Sequence, residues 1–285
     1  MTEPLTLRLM TEPEVHRLVA WAADEGWNPG LHDADVFWAT DPEAFIGAEL
    51  EGELIGGGAI TSYGGEFGFM GLFMVRPEHR GRGLGSQLWH ARVRLLQARL
   101  RPGSTIGLDG DVAMQDWYAR GGFVFSHRTI RHEGTGSATE TAQGLVPAAE
   151  VPFEELAAFD RRCFPAPREA FLRAWLEQPD SMARAVIVRD RLCGYGVVRR
   201  CGIGAKIGPL FADDAEQAEV LYSALASFVP GEPVYMDVPE VNHWAMSLAR
   251  RLGMREVFGC SRMYLGPPPR LEESRIFGNT TFELG

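Results

Sequence analysis

The chain has 285 residues, 45% of them hydrophobic, with 28 basic and 38 acidic side chains for a formal charge of −10. That length accommodates two domains, each with its own core. The acidic balance argues against a general nucleic-acid binder or a membrane-surface protein, so an anionic ligand needs a local cationic patch. Cys163, Cys193, Cys201 and Cys260 lack metal-ligand spacing and read as reduced core thiols in a cytoplasmic protein; no metal is expected. No charged-then-apolar leader and no run of about 18 apolar residues is present, so neither export nor membrane spanning is expected.

Thr11, Pro13 and Glu14 form a helix-start pattern of the capping-box type. Val15, Leu18, Val19 and Ala22 then share one helical face, and Gly26 marks its end. The stretch 25–33 is polar, aromatic and irregular, and puts Trp27, Asn28 and Asp33 forward as substrate-binding candidates. Residues 45–51, 53–62 and 67–75 read as three successive strands. The third ends on Phe73, Met74 and Val75 before Pro77.

The next residues are Arg80, Gly81, Arg82, Gly83, Leu84, Gly85 and Ser86. Three glycines in five positions open a helix whose Leu84, Leu88, Ala91 and Leu95 share a face. Glycine permits positive φ and close backbone approach. The first N–H groups of a helix lack internal partners, and the helix dipole favours a negative charge there. With Arg76, Arg80 and Arg82 nearby, the stretch reads as a pyrophosphate cradle. It is neither a dinucleotide fingerprint nor a Walker loop, because the required spacing and the Gly-Lys-Ser/Thr are missing. A short strand at 105–108, a helix at 111–120 and the turn Gly121-Gly122-Phe123 follow.

The order Val75-x-Pro77-x-x-Arg80-Gly81-x-Gly83-x-Gly85 resembles the acyl-CoA loop of GCN5-related N-acetyltransferases, the GNAT superfamily. Tyr118, four residues before Gly122-Phe123, matches that family's Tyr-x-x-x-Gly-Phe motif. The resemblance implies that Tyr118 is the general acid on the leaving thiolate. A phenol, with an ordinary pKa near 10, holds its proton at neutral pH as that role requires. It also implies that Phe73, Met74 and Val75 line the pantetheine, while Arg80, Gly81, Arg82, Gly83, Leu84, Gly85 and Ser86 hold the pyrophosphate. The family often has Asn seven residues before the tyrosine; here that residue is Asp111. Glu25, Asp33 and Glu66 are the candidates for general base. Glu66 stands at the head of the third strand, where the family often places such a carboxylate.

Residues 134–143 are rich in Gly, Ser and Thr and read as a linker. Beyond them the pattern of the first half returns. Helices at 153–160 and 169–177 precede a hairpin at 183–200, a strand at 205–211, a helix at 215–228, a strand at 234–238 and a helix from Asn242. Leu54-Ile55-Gly56-x-Gly58 aligns with Leu192-Cys193-Gly194-x-Gly196. The second copy lacks the chemistry. Asp213, Asp214 and Glu216 replace the basic glycine loop, and Ala249 replaces Tyr118. Over nearly its full length the chain resembles the YitH-type subgroup of tandem acetyltransferases. The segments that carry this are 25–30, 160–165, 207–213 and 277–285.

The expected fold is therefore α+β (mixed α/β), with two tandem GNAT-like domains at 1–135 and 145–285. Each is a mostly antiparallel mixed sheet flanked by helices. The first would bind acetyl-CoA and catalyse; the second would wall or cover the substrate. The expected reaction is acetyl transfer to a primary amine of a small molecule by direct attack. Alternatives are a longer acyl-CoA donor or a non-catalytic acyl-CoA sensor. No nucleic-acid or membrane partner is expected, and the chain would be a monomer or homodimer.

Overall fold

The structure is a computed structural model and describes residues 5–138 and 144–285. The first half runs β1 (Thr6–Leu9), α1 (Glu12–Asp24), α2 (Asp33–Thr40), β2 (Phe45–Leu50), β3 (Glu53–Tyr63), β4 (Phe67–Val75), α3 (Leu84–Arg99), β5 (Thr105–Asp111), α4 (Gln115–Arg120) and β6 (Val124–Thr135). The second runs β7 (Leu145–Pro147), α5 (Phe153–Cys163), α6 (Glu169–Glu177), β8 (Ser181–Val188), β9 (Arg191–Arg200), β10 (Ala205–Ala212), α7 (Ala215–Ala226), β11 (Pro233–Pro239), α8 (His243–Arg251), β12 (Arg255–Leu265) and β13 (Ile276–Gly278). Of the expected linker 134–143, residues 134 and 135 close β6 instead, and 139–143 lie outside the described residues. The expected helix 111–120 is shorter: β5 extends to Asp111 and α4 starts at Gln115.

Local chemistry explains most of these elements. The Thr11 amide donates to Glu14 at 2.8 Å, closing the start of α1. Its Val15, Leu18, Val19 and Ala22 are buried, as their spacing requires. Helix α2 begins on Asp33, the last residue of the 25–33 stretch, and has no local signal of its own. Phe37 on α2 stacks on Trp175 of α6, with ring centroids 6.4 Å apart, so contact with the second half holds it.

All the strands join one mixed sheet. Its path is β1-β2-β3-β4-β5-β12-β6-β11-β10-β9-β8-β7, with β13 added against β10. The middle of this order does not follow the chain. Strand β12 of the second half inserts between β5 and β6 of the first, with Met263 opposite Leu108 and Gly259 opposite Ile130. Strand β6 in turn pairs with β11, placing Ile130 opposite Val238. Each half thus lends a strand to the other's side.

Two parallel pairs define the functional geometry. Strands β4 and β5 pair from Phe67–Thr105 to Met70–Leu108. Beyond that point they part, and β4 bulges at Leu72, whose φ is 50°. Strands β10 and β11 repeat this, pairing only from Ala205–Val234 to Ile207–Met236. There the gap is filled: β13 runs antiparallel to β10, with Gly278 opposite Leu210 and Ile276 opposite Phe211.

Candidate active site

The gap between β4 and β5 is an open cleft of about 550 Å³. One end is the start of α3. Gly81 and Gly83 take φ of 75° and 79°, the left-handed region that turns the chain from β4 into the helix. No side chain caps α3 at Gly83, and Gly83, Gly85 and Ser86 line this end of the cleft, where a helix start favours an anion. A Cβ on Gly85 would touch only Val75 and Phe73, at 3.6 and 3.7 Å. The cationic patch is partly neutralised. Arg76 pairs with Glu53 at 2.7 Å, and Arg80 pairs with Glu25 while donating to the Val75 carbonyl at 2.7 Å.

An aromatic wall leads inward from the loop. Phe73 stacks on Trp117 at 5.9 Å, and Trp89 packs on both Trp117 and Tyr118 at 5.1 Å. Tyr118 is 8% exposed and lines the cleft. Burial pushes its hydroxyl up to about 12, against the opposing pull of Arg92. Its ring lies over Gly110, where a Cβ would run into the ring carbons. Beneath β4, the wholly buried Arg92 donates to the Gly71 carbonyl at 2.7 Å and to the Ala59 carbonyl. It thereby braces the bulge, and burial without a carboxylate lowers it to about 9.

The structure brings together most of the candidate residues. Phe73, Met74, Val75, Arg80, Gly81, Gly83, Gly85, Ser86, Tyr118, Trp27 and Glu25 all line the cleft. Leu84 instead points into the core, and Arg82 lies outside the lining beside His79. Asn28 bridges the amide and carbonyl of Ile203 at 2.9 Å, away from the cleft. Asp33 is wholly buried and receives two bonds from Arg199, at 2.7 and 3.1 Å. Burial disfavours its charge, yet Arg199 and Lys206 hold it below the usual carboxylate range. Glu66 sits at the opposite end of β4 from the loop and pairs with Arg101 at 3.2 Å. Asp111 lines the cleft but spends its side chain on the Ala113 amide at 2.8 Å.

The second half contributes Phe258, Cys260, Phe282 and Glu283 to this cleft, and Arg131 of β6 also lines it. Arg131 forms a two-point pair with Asp237, at 2.7 and 2.8 Å. Arg131 and Lys206 both donate to the Trp27 carbonyl, at 3.0 and 2.9 Å. Phe282 and Glu283 come from the C-terminal segment that follows β13. No local spacing signals that they enter it.

In the second half, the corresponding helix start is occupied. Asp214 caps α7 by accepting from the Glu216 and Gln217 amides, at 2.9 and 3.2 Å. Asp213 pairs with Arg191 at 2.8 Å and with Arg275. Asn242 caps α8 and also donates to the Ile276 carbonyl of β13 at 3.0 Å. All four cysteines are buried and free. No helix among the described residues is long and apolar enough to cross a membrane.

Comparison with known proteins agrees with this geometry. The sequence model of the Acetyltransferase (GNAT) family matches residues 12–123, and that of the Acetyltransferase (GNAT) domain matches 156–278. A holothin acyltransferase from Pseudoalteromonas sp. (strain SANK 73390) is 28% identical over 93% of this chain and 89% of its own length. The crystal structure of a candidate acetyltransferase from Pyrococcus horikoshii superposes with a TM-score of 0.83 at 24% identity, covering 99% of this chain and 96% of that one. A tandem GNAT protein from the clavulanic acid biosynthesis pathway gives a TM-score of 0.63 at 15% identity, covering 93% and 100%. At those identities the structural likenesses speak for the fold.

Proposed function

Starting from a chain that belongs to the GNAT acyltransferase family and carries two of its domains in tandem, we propose that it transfers an acetyl group from acetyl-CoA to a primary amine of a small molecule, with chemistry only in the β4–β5 cleft. The observation that carries this reading is one continuous cleft with an uncapped helix start at one end and a phenol within it. Amides of α3 and its glycine loop would hold the pyrophosphate. The free edge of β4 beyond Met70 would pair with the amides of the pantetheine. The neutral amine attacks the thioester carbonyl, and Tyr118 protonates the departing sulfur. A phenol held near 12 stays protonated until a thiolate forms beside it.

The second domain's part is to wall the acceptor side, through Phe258, Phe282 and Glu283. Of the carboxylates lining the cleft, Glu25 and Asp109 are paired with arginines and Asp111 accepts from the Ala113 amide, so Glu283 is the one that favours a cationic acceptor. The named activity of the Pseudoalteromonas relative is acylation rather than acetylation specifically, so longer acyl-CoA donors belong in the assay. The test is thiol release from acetyl-, butyryl- and octanoyl-CoA against a panel of putrescine, lysine, glucosamine and 2-phenylethylamine. Release that requires both an amine and Tyr118 supports the reading. Coenzyme binding without release for every pair would point to a sensor.

A further inference from the structure

Of the carboxylates buried between the two halves, four are each clamped by an arginine. Asp33 is held by Arg199, Asp109 by Arg262, Asp160 by Arg168 and Asp237 by Arg131, each through two bonds. Two-point bonds to an arginine already occupy the oxygens of such a carboxylate and fix it on its partner rather than on a ligand. Glu283 differs. It is 5% exposed and lines the cleft, and its hydrogen-bond donor is the hydroxyl of Thr281 in its own segment. Among the described residues no ion pair to it is seen.

The position of Glu283 is fixed from several sides. After β13, the Asn279 amide donates to the Asp237 carbonyl at 2.8 Å, and Arg168 donates to the Thr280 hydroxyl at 2.9 Å. Tyr63 then donates to the Leu284 carbonyl at 2.7 Å, and Arg168 to the Gly285 carbonyl at 3.2 Å. The backbone of Glu283 lies directly on Gly71, where any Cβ would run into its carbonyl. Gly71 is the first residue of β4 past the last β4–β5 pair. Glu283 therefore sits at the apex of the splay, where a pantetheine laid along β4 from the loop would present its thioester.

We propose that Glu283, delivered from the second half of the chain, is the catalytic base that removes the proton from the acceptor ammonium. This rests on the acyl-transfer reading above. One ammonium proton passes to a Glu283 Oε and then to solvent. The freed nitrogen lone pair forms the C–N bond at the thioester carbonyl. As the C–S bond breaks, Tyr118 gives its proton to sulfur, and the surplus proton on the new amide nitrogen restores the phenol. The groups that face Glu283 are Lys206 on β10, Arg131 on β6, Arg199 on β9, Asp33 on α2 and Cys260 on β12. Burial leads, and with Asp33 it outweighs the three cations, so the carboxyl stands above the ordinary glutamate range. That shift brings its proton affinity closer to that of an ammonium without creating the role.

The test compares wild type, Glu283→Gln and Glu283→Asp, using acetyl-CoA and the panel amine that wild type acylates fastest. Melting temperature and coenzyme affinity are measured alongside. Glu283→Gln should lower kcat/KM at pH 7 by about 10²-fold. The loss should shrink at pH 10, where a far larger fraction of the amine is free base than at pH 7. Glu283→Asp should keep the acidic limb of the pH profile at a reduced rate. A folded, coenzyme-binding Glu283→Gln enzyme with wild-type rate and limb would overturn the assignment. If Glu283→Gln fails to fold, an Asp variant whose deficit is the same at pH 7 and pH 10 does so equally. Failure of wild type to acylate any amine would instead remove the acyl-transfer reading, and this inference with it.

Discussion

The β4–β5 cleft and its counterpart between β10 and β11 share one construction and have opposite contents. In both, a parallel pair of strands opens after three or four residues, and a helix starts beside the gap. The first gap is open and its helix start has no capping side chain. The second is closed by the chain itself. Strand β13 occupies the edge of β10, Asp214 takes the first amides of α7, and Asn242 grips β13 through the Ile276 carbonyl. The edge of β10 and the Glu216 and Gln217 amides, which a bound ligand could otherwise satisfy, have internal partners. The segment that closes the second gap then continues to Glu283 at the apex of the first.

The comparison is sharpest where a residue exists in only one cleft. Tyr118 corresponds to Ala249 in the second half. Tyr118→Phe should slow thiol release by about 10²-fold or more at unchanged coenzyme affinity, as steady-state kinetics with equilibrium binding would show.

A second prediction concerns the seam between the clefts. Arg131→Ala strands the buried Asp237 carboxylate and should cost about 3–5 kcal/mol in urea unfolding. The pH dependence follows in sign. Burial opposes the charge of Asp237, but Arg131 holds it below the usual carboxylate range. Its stabilising contribution is thus fully present above about pH 4 and is lost as pH falls through the folded value. The Arg131→Ala protein should lose that component of the acid transition.

Smaller effects distinguish the two helix starts. Gly83→Asp places a carboxylate, and a strained positive φ, at the open start of α3, so coenzyme affinity should drop by at least about tenfold, a cost near 1.4 kcal/mol. Asp214→Ala removes the cap of α7 and should cost about 1 kcal/mol of stability. It should leave coenzyme affinity unchanged, which titration calorimetry would check. An equal loss of affinity in both variants would erase the distinction between the halves.

The parts of this arrangement that were legible in the sequence are those with short-range causes. The loop at Arg80–Ser86, the Tyr118 to Gly122-Phe123 spacing and the acidic start of α7 each lie within a few residues. The α+β tandem fold followed from the repeat of strand and helix patterns across the two halves. What stayed hidden depends on residues far apart. Asp33 was put forward as a substrate residue because it stands in a polar loop, but its partner Arg199 is 166 positions away. The insertion of β12 beside β5 leaves no local trace, since any apolar strand fits either neighbour. The terminal Phe282-Glu283 pair is a sequence candidate for the cleft wall, but its seat on Gly71, more than two hundred residues earlier, shows only in the fold.

The central claim is that this chain holds one acyl-CoA site, in the β4–β5 cleft, and that β13 occupies the other. Native mass spectrometry of the whole protein with excess acetyl-CoA tests it most directly. With acetyl-CoA in excess, one coenzyme per chain is predicted for wild type and for Asp214→Ala, and at limiting coenzyme Gly83→Asp should need at least about tenfold more of it to reach the same occupancy. Two coenzymes per chain, or wild-type occupancy of Gly83→Asp at limiting coenzyme, would contradict it.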